Sequence, residues 1–187
     1  SAKIMSQEVL KHARENKKTS LKEVIFCLYD DEAFRVFEKG ASGYIEYVTH
    51  KLQAGPFCTV DAIIEGEDGI ILVKRSNPPF GLALPGGFVD YGESLEQAVI
   101  RETKEETNLD ITELKQFHTY SDPARDPRFH TIGTVFVVKT KGTPKAGDDA
   151  AELETVRAED IEKLAFAFDH KKILLDYLKA KRGESPF

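Results

Sequence analysis

Alternating apolar and polar positions predict strands at residues 58–64, 70–74, 111–120 and 132–139, with 66–69 turning a hairpin between the first two. Helical spacing follows at 158–164 and 169–181, the second capped by Asp169 and striped by Ile173, Leu174, Tyr177 and Leu178. Ahead of these elements the pattern predicts a short helix at 7–15, then strand-like runs at 23–29, 33–37 and 44–48, with turns at Asp30-Asp31 and at 40–43. The polar stretch 142–154, with its Gly and Pro, is expected to be a loop. Strands alternating with two strong helices point to a layered α/β fold around a mixed sheet. No repeat or low-complexity tract interrupts the chain.

The best-signalled helix runs over 94–107. Ser94 and Gln97 make an S-x-x-Q capping box, Glu96 places negative charge in the first turn, and no Gly or Pro intervenes before Asn108. At about 100° per residue, Leu95, Ala98 and Val99 point nearly the same way as Glu102, Glu105 and Glu106. A stripe that begins apolar therefore turns acidic without changing sides. A solvated face is the ordinary fate of helical glutamates, but like charges at i, i+3 and i+4 beside a packed face repel and are costly to desolvate unless cations compensate them. Arg101, four residues before Glu105, is placed to brace it and to leave Glu102 and Glu106 freer for metal. Oxygen donors with no neighbouring His or Cys suit magnesium, or manganese, rather than zinc.

A second chemical segment is Ser121-Asp122-Pro123-Ala124-Arg125-Asp126-Pro127-Arg128. Two Asp-Pro steps predict a stiff, turn-rich loop that displays Arg125 and Arg128, whose guanidinium forks suit phosphate; a structural turn with solvated arginines is the equal alternative for the loop by itself. Arg75, with Lys74, ends a strand before Asn77-Pro78-Pro79-Phe80. Arg75 and Phe80 are weaker candidates for substrate contact, with solvated charge and loop packing as the plain alternatives. Tyr120 and His130 flank the arginine loop, and a lone His is more often structural.

Composition narrows the function. The 187-residue chain carries a formal charge of −6, which disfavours an extended nucleic-acid surface and leaves an anionic ligand dependent on metal and local arginines. Cys27 and Cys58 show no metal or redox spacing and are expected to be buried, reduced thiols. There is no apolar run of membrane-spanning length, and residues 1–20 lack the apolar core of a signal peptide, so a cytoplasmic protein without a membrane partner is expected.

Residues 87–109 resemble the signature of the Nudix hydrolases, G-x5-E-x7-R-E-U-x-E-E-x-G-U with U a bulky aliphatic residue. Gly87, Glu93, Arg101, Glu102, Glu105, Glu106 and Leu109 match. Thr103 stands at an aliphatic position and Asn108 at the last glycine, neither touching a charged residue; Asn also tolerates a left-handed helix end. The resemblance implies a Nudix-type α/β/α sandwich at 57–187, preceded at 1–56 by a helix and strand extension. It implies metal-dependent hydrolysis of the diphosphate bond in a nucleoside diphosphate linked to another group, the metal held by the Gly86 carbonyl with Glu102, Glu105 and Glu106, and Arg101 completing the catalytic group. Glu93, in the same signature but ahead of the helix, is read as structural. Among Asp148, Asp149, Glu152 and Glu154, the resemblance favours Glu152 as the base that activates water or as an extra ligand, with Glu105 the competing base.

The S-x-P-x-R-D-P-R run extends the resemblance to a microbial subgroup acting on ADP-ribose. So do Asn77-Pro78-Pro79, Gly147-Asp148-Asp149-Ala150 and Phe168-Asp169-His170, over about 57–178. That subgroup implies AMP and ribose 5-phosphate as products, Arg125 and Arg128 on the ligand, and a homodimer whose N-terminal segment helps build the partner's site. The alternatives are another dinucleotide or an oxidised nucleoside triphosphate as substrate, or a sensor that binds ADP-ribose without turnover; the intact Arg101-Glu102 and Glu105-Glu106 pairs favour catalysis.

Overall fold

The computed structural model describes residues 2–16, 20–46, 55–147 and 150–187. The chain divides into two compact units, Ser1–Gly55 and Pro56–Phe187. The first contains α1 (Ala2–Glu15) and α2 (Asp31–Glu46). The strand-like runs expected at 33–37 and 44–48 are not strands: the first lies within α2 and so does the second as far as Glu46, its remainder falling outside the described residues. Residues 23–29 form no regular element. Asp30 explains the difference, because its Oδ1 accepts the Ala33 N–H at 2.8 Å while Asp31 and Glu32 put negative charge in the first turn. Ala33, Phe37 and Ala41 then repeat every four residues along the less exposed face, a helical period that short alternation concealed.

The second unit is built on a seven-stranded sheet. Its main order is β3 (Leu82–Ala83), β2 (Ile70–Arg75), β1 (Phe57–Glu65), β6 (Thr131–Lys141) and β5 (Asp110–Tyr120). In addition β4 (Gly86–Phe88) pairs with β1, and β7 (Ala150–Val156) pairs with β2. The β1–β6 pair is parallel and the others are antiparallel, so the sheet is mixed as expected. Along β1, Val60, Ala62 and Ile64 enter one core with Ala98 and Val99 of α3 (Leu95–Thr107). Ile63 enters the other core, with Ile173 and Leu174 of α4 (His170–Lys181). A helix therefore covers each face, completing the α/β/α sandwich, and burial on both sides accounts for the nearly unbroken apolar run of β1.

Smaller departures are equally physical. Residues expected as a helix at 158–164 form a 3-10 helix, Ala158–Lys163. Asp169 does precede α4, but no side-chain cap bond forms, since its carboxylate is turned to Arg125. The end of the expected 142–154 loop is strand: β7 aligns Glu152 with Lys74 and Leu153 with Val73. Cys27 and Cys58 are exposed rather than buried. Among the described residues no helix is long and apolar enough to cross a membrane.

Candidate active site

Both ends of α3 are fixed locally. Ser94 Oγ accepts the Gln97 N–H at 3.2 Å, and the Gln97 side chain accepts the Ser94 N–H at 2.8 Å. Asn108 closes the helix in the left-handed region, with φ of 60°. The packed side of α3 places Ala98, Val99, Thr103 and Thr107 against the sheet and carries Glu102 and Glu106 to half-buried positions. Glu105 leaves that face: its side chain is 59% exposed against 14% for Glu102. The acidic stripe expected from the helical wheel thus holds for two of its three glutamates.

Arg101 organises the group more tightly than a brace on Glu105 would. Its Nε and Nη2 donate to the two Glu93 oxygens at 3.0 and 2.9 Å, and Nη2 also donates to the Phe88 carbonyl at 3.0 Å. Nη1 reaches Glu102 at 2.6 Å and Glu105 at 3.2 Å. Contrary to expectation, Arg101 does not leave Glu102 freer; it holds it. Gly87 completes the arrangement, because a Cβ there would collide with the Glu102 carboxylate. Glu106 Oε2 accepts the Gly86 N–H at 2.9 Å, tying the helix to β4.

Glu106 lines two adjoining cavities. One, about 630 Å³, is a groove shared with Glu102 and Glu105. The other, about 180 Å³, has Glu106, Asp61 and Gly86 among its acidic and backbone lining, and Arg75, Arg128 and Arg125 among its basic lining. Burial pushes the Glu106 carboxyl up to about 7, against the pull of the Gly86 N–H, with Glu102 and Asp61 adding repulsion. Asp61 was not singled out from the sequence. It is 5% exposed, its Oδ2 has no hydrogen-bond partner, and burial raises it to about 7 despite Arg125, with Asp169 and Glu102 reinforcing the rise. The available signal was one aspartate inside the apolar run Val60–Ile64, where a charge must be buried if the strand is.

His170 was likewise missed as a site residue. Its Nδ1 accepts the Leu84 N–H at 2.9 Å, and burial, with Arg125 and Arg75 adding to it, lowers the imidazole to about 3. The ring is therefore neutral with its proton on Nε2, which faces Asp61 Oδ1 at 3.4 Å.

The arginine loop is as turn-rich as its Asp-Pro steps predicted. Asp122 Oδ1 accepts the Ala124 N–H, and Asp126 Oδ1 accepts the Arg128 N–H. Its two arginines differ. Arg125 is buried rather than displayed: Nε and Nη2 donate to Asp169 at 3.0 and 2.9 Å, Nη1 donates to Thr131 at 3.0 Å, and Gly133 leaves the room in which the guanidinium lies. Arg128 is held by Asp126 through Nε and Nη2. Arg75 donates from Nε to the Pro79 carbonyl at 2.8 Å.

Other candidates stand apart. Phe80 is exposed and lines neither cavity. Glu152 also lines neither; its carboxylate is 3.4 Å from Lys74 Nζ, which also approaches Glu154 at 3.7 Å. Tyr120 is buried and donates to Asp176, and His130 is exposed. Asp148 and Asp149 lie outside the described residues.

Among the described residues, no three His, Cys, Asp or Glu side chains form a ready-made metal cluster. The donor chemistry nevertheless fits a hard divalent cation. Glu102, Glu106 and Asp61 bring oxygen and mutually unfavourable charge, and Asp61 Oδ2 is buried without a hydrogen bond, with Arg125 Nη2 3.8 Å away. Magnesium in particular is commonly held by one or two carboxylates, with water and substrate phosphate supplying the rest, so a complete protein cage is not required.

Comparison with known proteins identifies the family. An ADP-ribose pyrophosphatase of Methanocaldococcus jannaschii is 49% identical over 138 residues, covering 72% of this chain and 80% of that protein. The Nudix domain of NrtR from Shewanella oneidensis, solved in complex with ADP-ribose, superposes with a TM-score of 0.63 at 26% identity, covering 76% of this chain and 97% of that one. A bifunctional NMN adenylyltransferase/ADP-ribose pyrophosphatase from Francisella tularensis gives a TM-score of 0.57 at 28% identity, over 79% of this chain and 48% of that one. Residues 56–177 match the NUDIX domain family, and on that span, with its α/β/α sandwich and intact box of charged residues, the chain belongs to the Nudix hydrolases.

Proposed function

We propose that the protein hydrolyses ADP-ribose at its diphosphate, water adding to one phosphorus as the bridging P–O bond breaks, to give AMP and ribose 5-phosphate. The observation that carries this reading is the cavity lined both by the carboxylates Glu106 and Asp61 and by the guanidinium groups of Arg75 and Arg128. Carboxylates take a cation, guanidinium groups take an anion, and a metal-bound diphosphate presents both. The 49% identity to an ADP-ribose pyrophosphatase supports the substrate.

Glu102, Glu106 and the Gly86 carbonyl would hold the metal, which we propose to be magnesium, with manganese as a substitute. When bound, it would neutralise phosphate oxygens and lower the pKa of water. Arg101 fixes the orientation of Glu102 and Glu105 from a single guanidinium. Arg75 and Arg128 hold the diphosphate, while Arg125 shapes the floor by locking Asp169. We assign proton removal from water to Glu105 rather than Glu152, because Glu105 shares the groove of Glu102 and Glu106 whereas Glu152 is paired with Lys74 on β7. We extend the proposal to a cytoplasmic homodimer, which the unpaired Cys27 and Cys58 and the exposed apolar side chains of the first unit support.

The test is incubation of the purified protein with ADP-ribose, NADH, diadenosine polyphosphates and oxidised nucleoside triphosphates, with magnesium and with chelator. Magnesium-dependent AMP release fastest from ADP-ribose is expected. Preference for another compound would reassign the substrate, and binding without turnover would make the protein a sensor. E106Q and E105Q should each lower kcat at least a hundredfold, on the scale of losing a metal ligand or a general base, while E152Q stays within about threefold.

A further inference from the structure

We infer that Phe168 is a positioning residue of the diphosphate subsite, its ring holding Arg75 and Arg128 together where they line the cavity. The inference rests on the diphosphate reading above and assigns a role to a residue outside the proposed metal ligands and base. The guanidinium carbons of Arg75 and Arg128 lie 4.8 and 5.0 Å from the Phe168 ring centroid. Both distances are within the range in which an aromatic face attracts a cation. All three residues line the same cavity. Two cations brought together in a partly desolvated site repel one another, and Arg75 shows the effect: burial lowers its pKa and Arg128 lowers it further. Asp126 pairs with Arg128, and the Phe168 ring supplies a shared, uncharged partner to both guanidinium groups.

The remaining contacts of the pair leave donors for an anion. Arg75 uses Nε and Nη2 on the Pro79 and Pro78 carbonyls, and Arg128 uses Nε and Nη2 on Asp126. Among the described residues no hydrogen bond engages Nη1 of either. Two guanidinium groups each offering a free donor suit the two phosphates of a nucleoside diphosphate ester.

Ordinary core packing does not account for Phe168. It belongs to neither hydrophobic cluster, and the 5.1 Å contact of its ring with His170 adds another polar ring instead of an apolar one. Its backbone is also in the left-handed region, with φ of 56°, which is a costly conformation for a bulky side chain. Its surroundings hold it there: the Ala167 N–H donates to the Leu82 carbonyl, Asp169 receives Arg125, and His170 receives the Leu84 N–H. Phe168, Asp169 and His170 thus serve three directions, with the Phe168 ring in the cavity.

The experiment measures kcat and KM for ADP-ribose, and the inhibition constant of inorganic pyrophosphate, in saturating magnesium for F168L, F168Y and F168G, with the melting temperature of each. F168L keeps bulk and loses the π face. It should raise KM and the pyrophosphate inhibition constant by about 5- to 30-fold, the scale of two cation–π contacts, with kcat within about twofold. F168Y retains an aromatic face and should stay near wild type. F168G relieves the left-handed backbone and should show the binding loss of F168L without melting below it. F168M replaces F168L as the readout if the latter does not fold. Unchanged KM and inhibition constant in F168L, or a loss that F168Y shares, would overturn the role. If ADP-ribose proves not to be the substrate, calorimetric binding of pyrophosphate to the same variants still decides the subsite; if ADP-ribose is hydrolysed and F168L is indifferent, the function stands and this inference falls.

Discussion

Asp61 shows how much a single side chain in this fold gives up for chemistry. It is enclosed on a strand whose neighbours are apolar, its Oδ2 has no hydrogen bond and only Arg125 Nη2 near it at 3.8 Å, and burial raises its carboxyl from 3.8 to about 7 against the pull of that arginine. A carboxyl raised on folding costs nothing below its unfolded pKa, and the cost grows as pH climbs to the folded value and is complete above it. At pH 8 without metal, D61N should therefore stabilise the protein by roughly 2–4 kcal/mol, because the cost accumulates at about 1.4 kcal/mol for each pH unit between those two values. The same variant should lower kcat for ADP-ribose. Denaturant unfolding with a parallel rate assay checks both, and a variant that is no more stable than wild type would show the charge to be compensated. Thr103 is the opposite case. It is fully buried with its Oγ1 unpartnered, at a position where the family signature asks for an aliphatic residue. T103V should gain about 1 kcal/mol and leave kcat and KM unchanged, since it removes an unsatisfied hydroxyl at constant shape.

At the scale of elements, His170 joins α4 to the β3–β4 connection and to β1 through Leu84 and Asp61. Its folded pKa of about 3 lies below the unfolded 6.5, so the unfolded chain takes up the proton first as pH falls. Its contribution is present above about 6.5 and is lost progressively toward 3. Relative to H170N, whose amide oxygen can still accept the Leu84 N–H, wild type should lose up to about 1.4 kcal/mol of stability per pH unit between 6 and 4. Parallel unfolding curves for the two proteins across that interval would remove His170 as the cause.

Which elements were legible in the sequence follows from the strength of their local signals. In α3 a capping box, an uninterrupted run and a left-handed Asn agree, and in β1 the apolar run is too dense for anything but burial. In α2 the alternation of Ala33 to Phe37 satisfied the strand pattern over five residues, while the helical repeat needed Ala41 to become visible. In β7 the acidic Glu152 and Glu154 resembled a loop, because its pairing with β2 is set by a strand nearly eighty residues away. The same division governs the site. Glu102 and Glu106 were marked as candidates by spacing along one segment and Gly86 by the family resemblance, whereas Asp61 and His170 come together only through the sheet, and Arg125 could not be known as buried before Asp169 was seen to face it.

For the whole molecule, the acidic balance of −6 confines positive charge to local use, and the second unit spends it around one cavity through Arg75, Arg125 and Arg128. The first unit presents a different surface. Ile25 is 73% exposed and Val36 69%, with Phe34 and Tyr29 also open, so large apolar side chains face water on α2 and on the segment that precedes it. A symmetric partner is the simplest cover, since a twofold interface buries the same patch from both copies. The wild-type protein should then run at twice the chain mass in light scattering, and I25E with V36E should shift it to the monomer at micromolar concentration, because placing like charges on both sides of a self-complementary face is repulsive twice over. Retention of the dimer by that double variant would move the interface elsewhere. Activity separates two kinds of dimer. If the N-terminal unit of one copy contributes to the other's site, as the family resemblance implies, the monomeric variant should show a KM for ADP-ribose raised at least fivefold while its second unit keeps the melting transition of wild type. A monomer with unaltered KM would instead confine recognition to the cavity between Glu106 and Arg128.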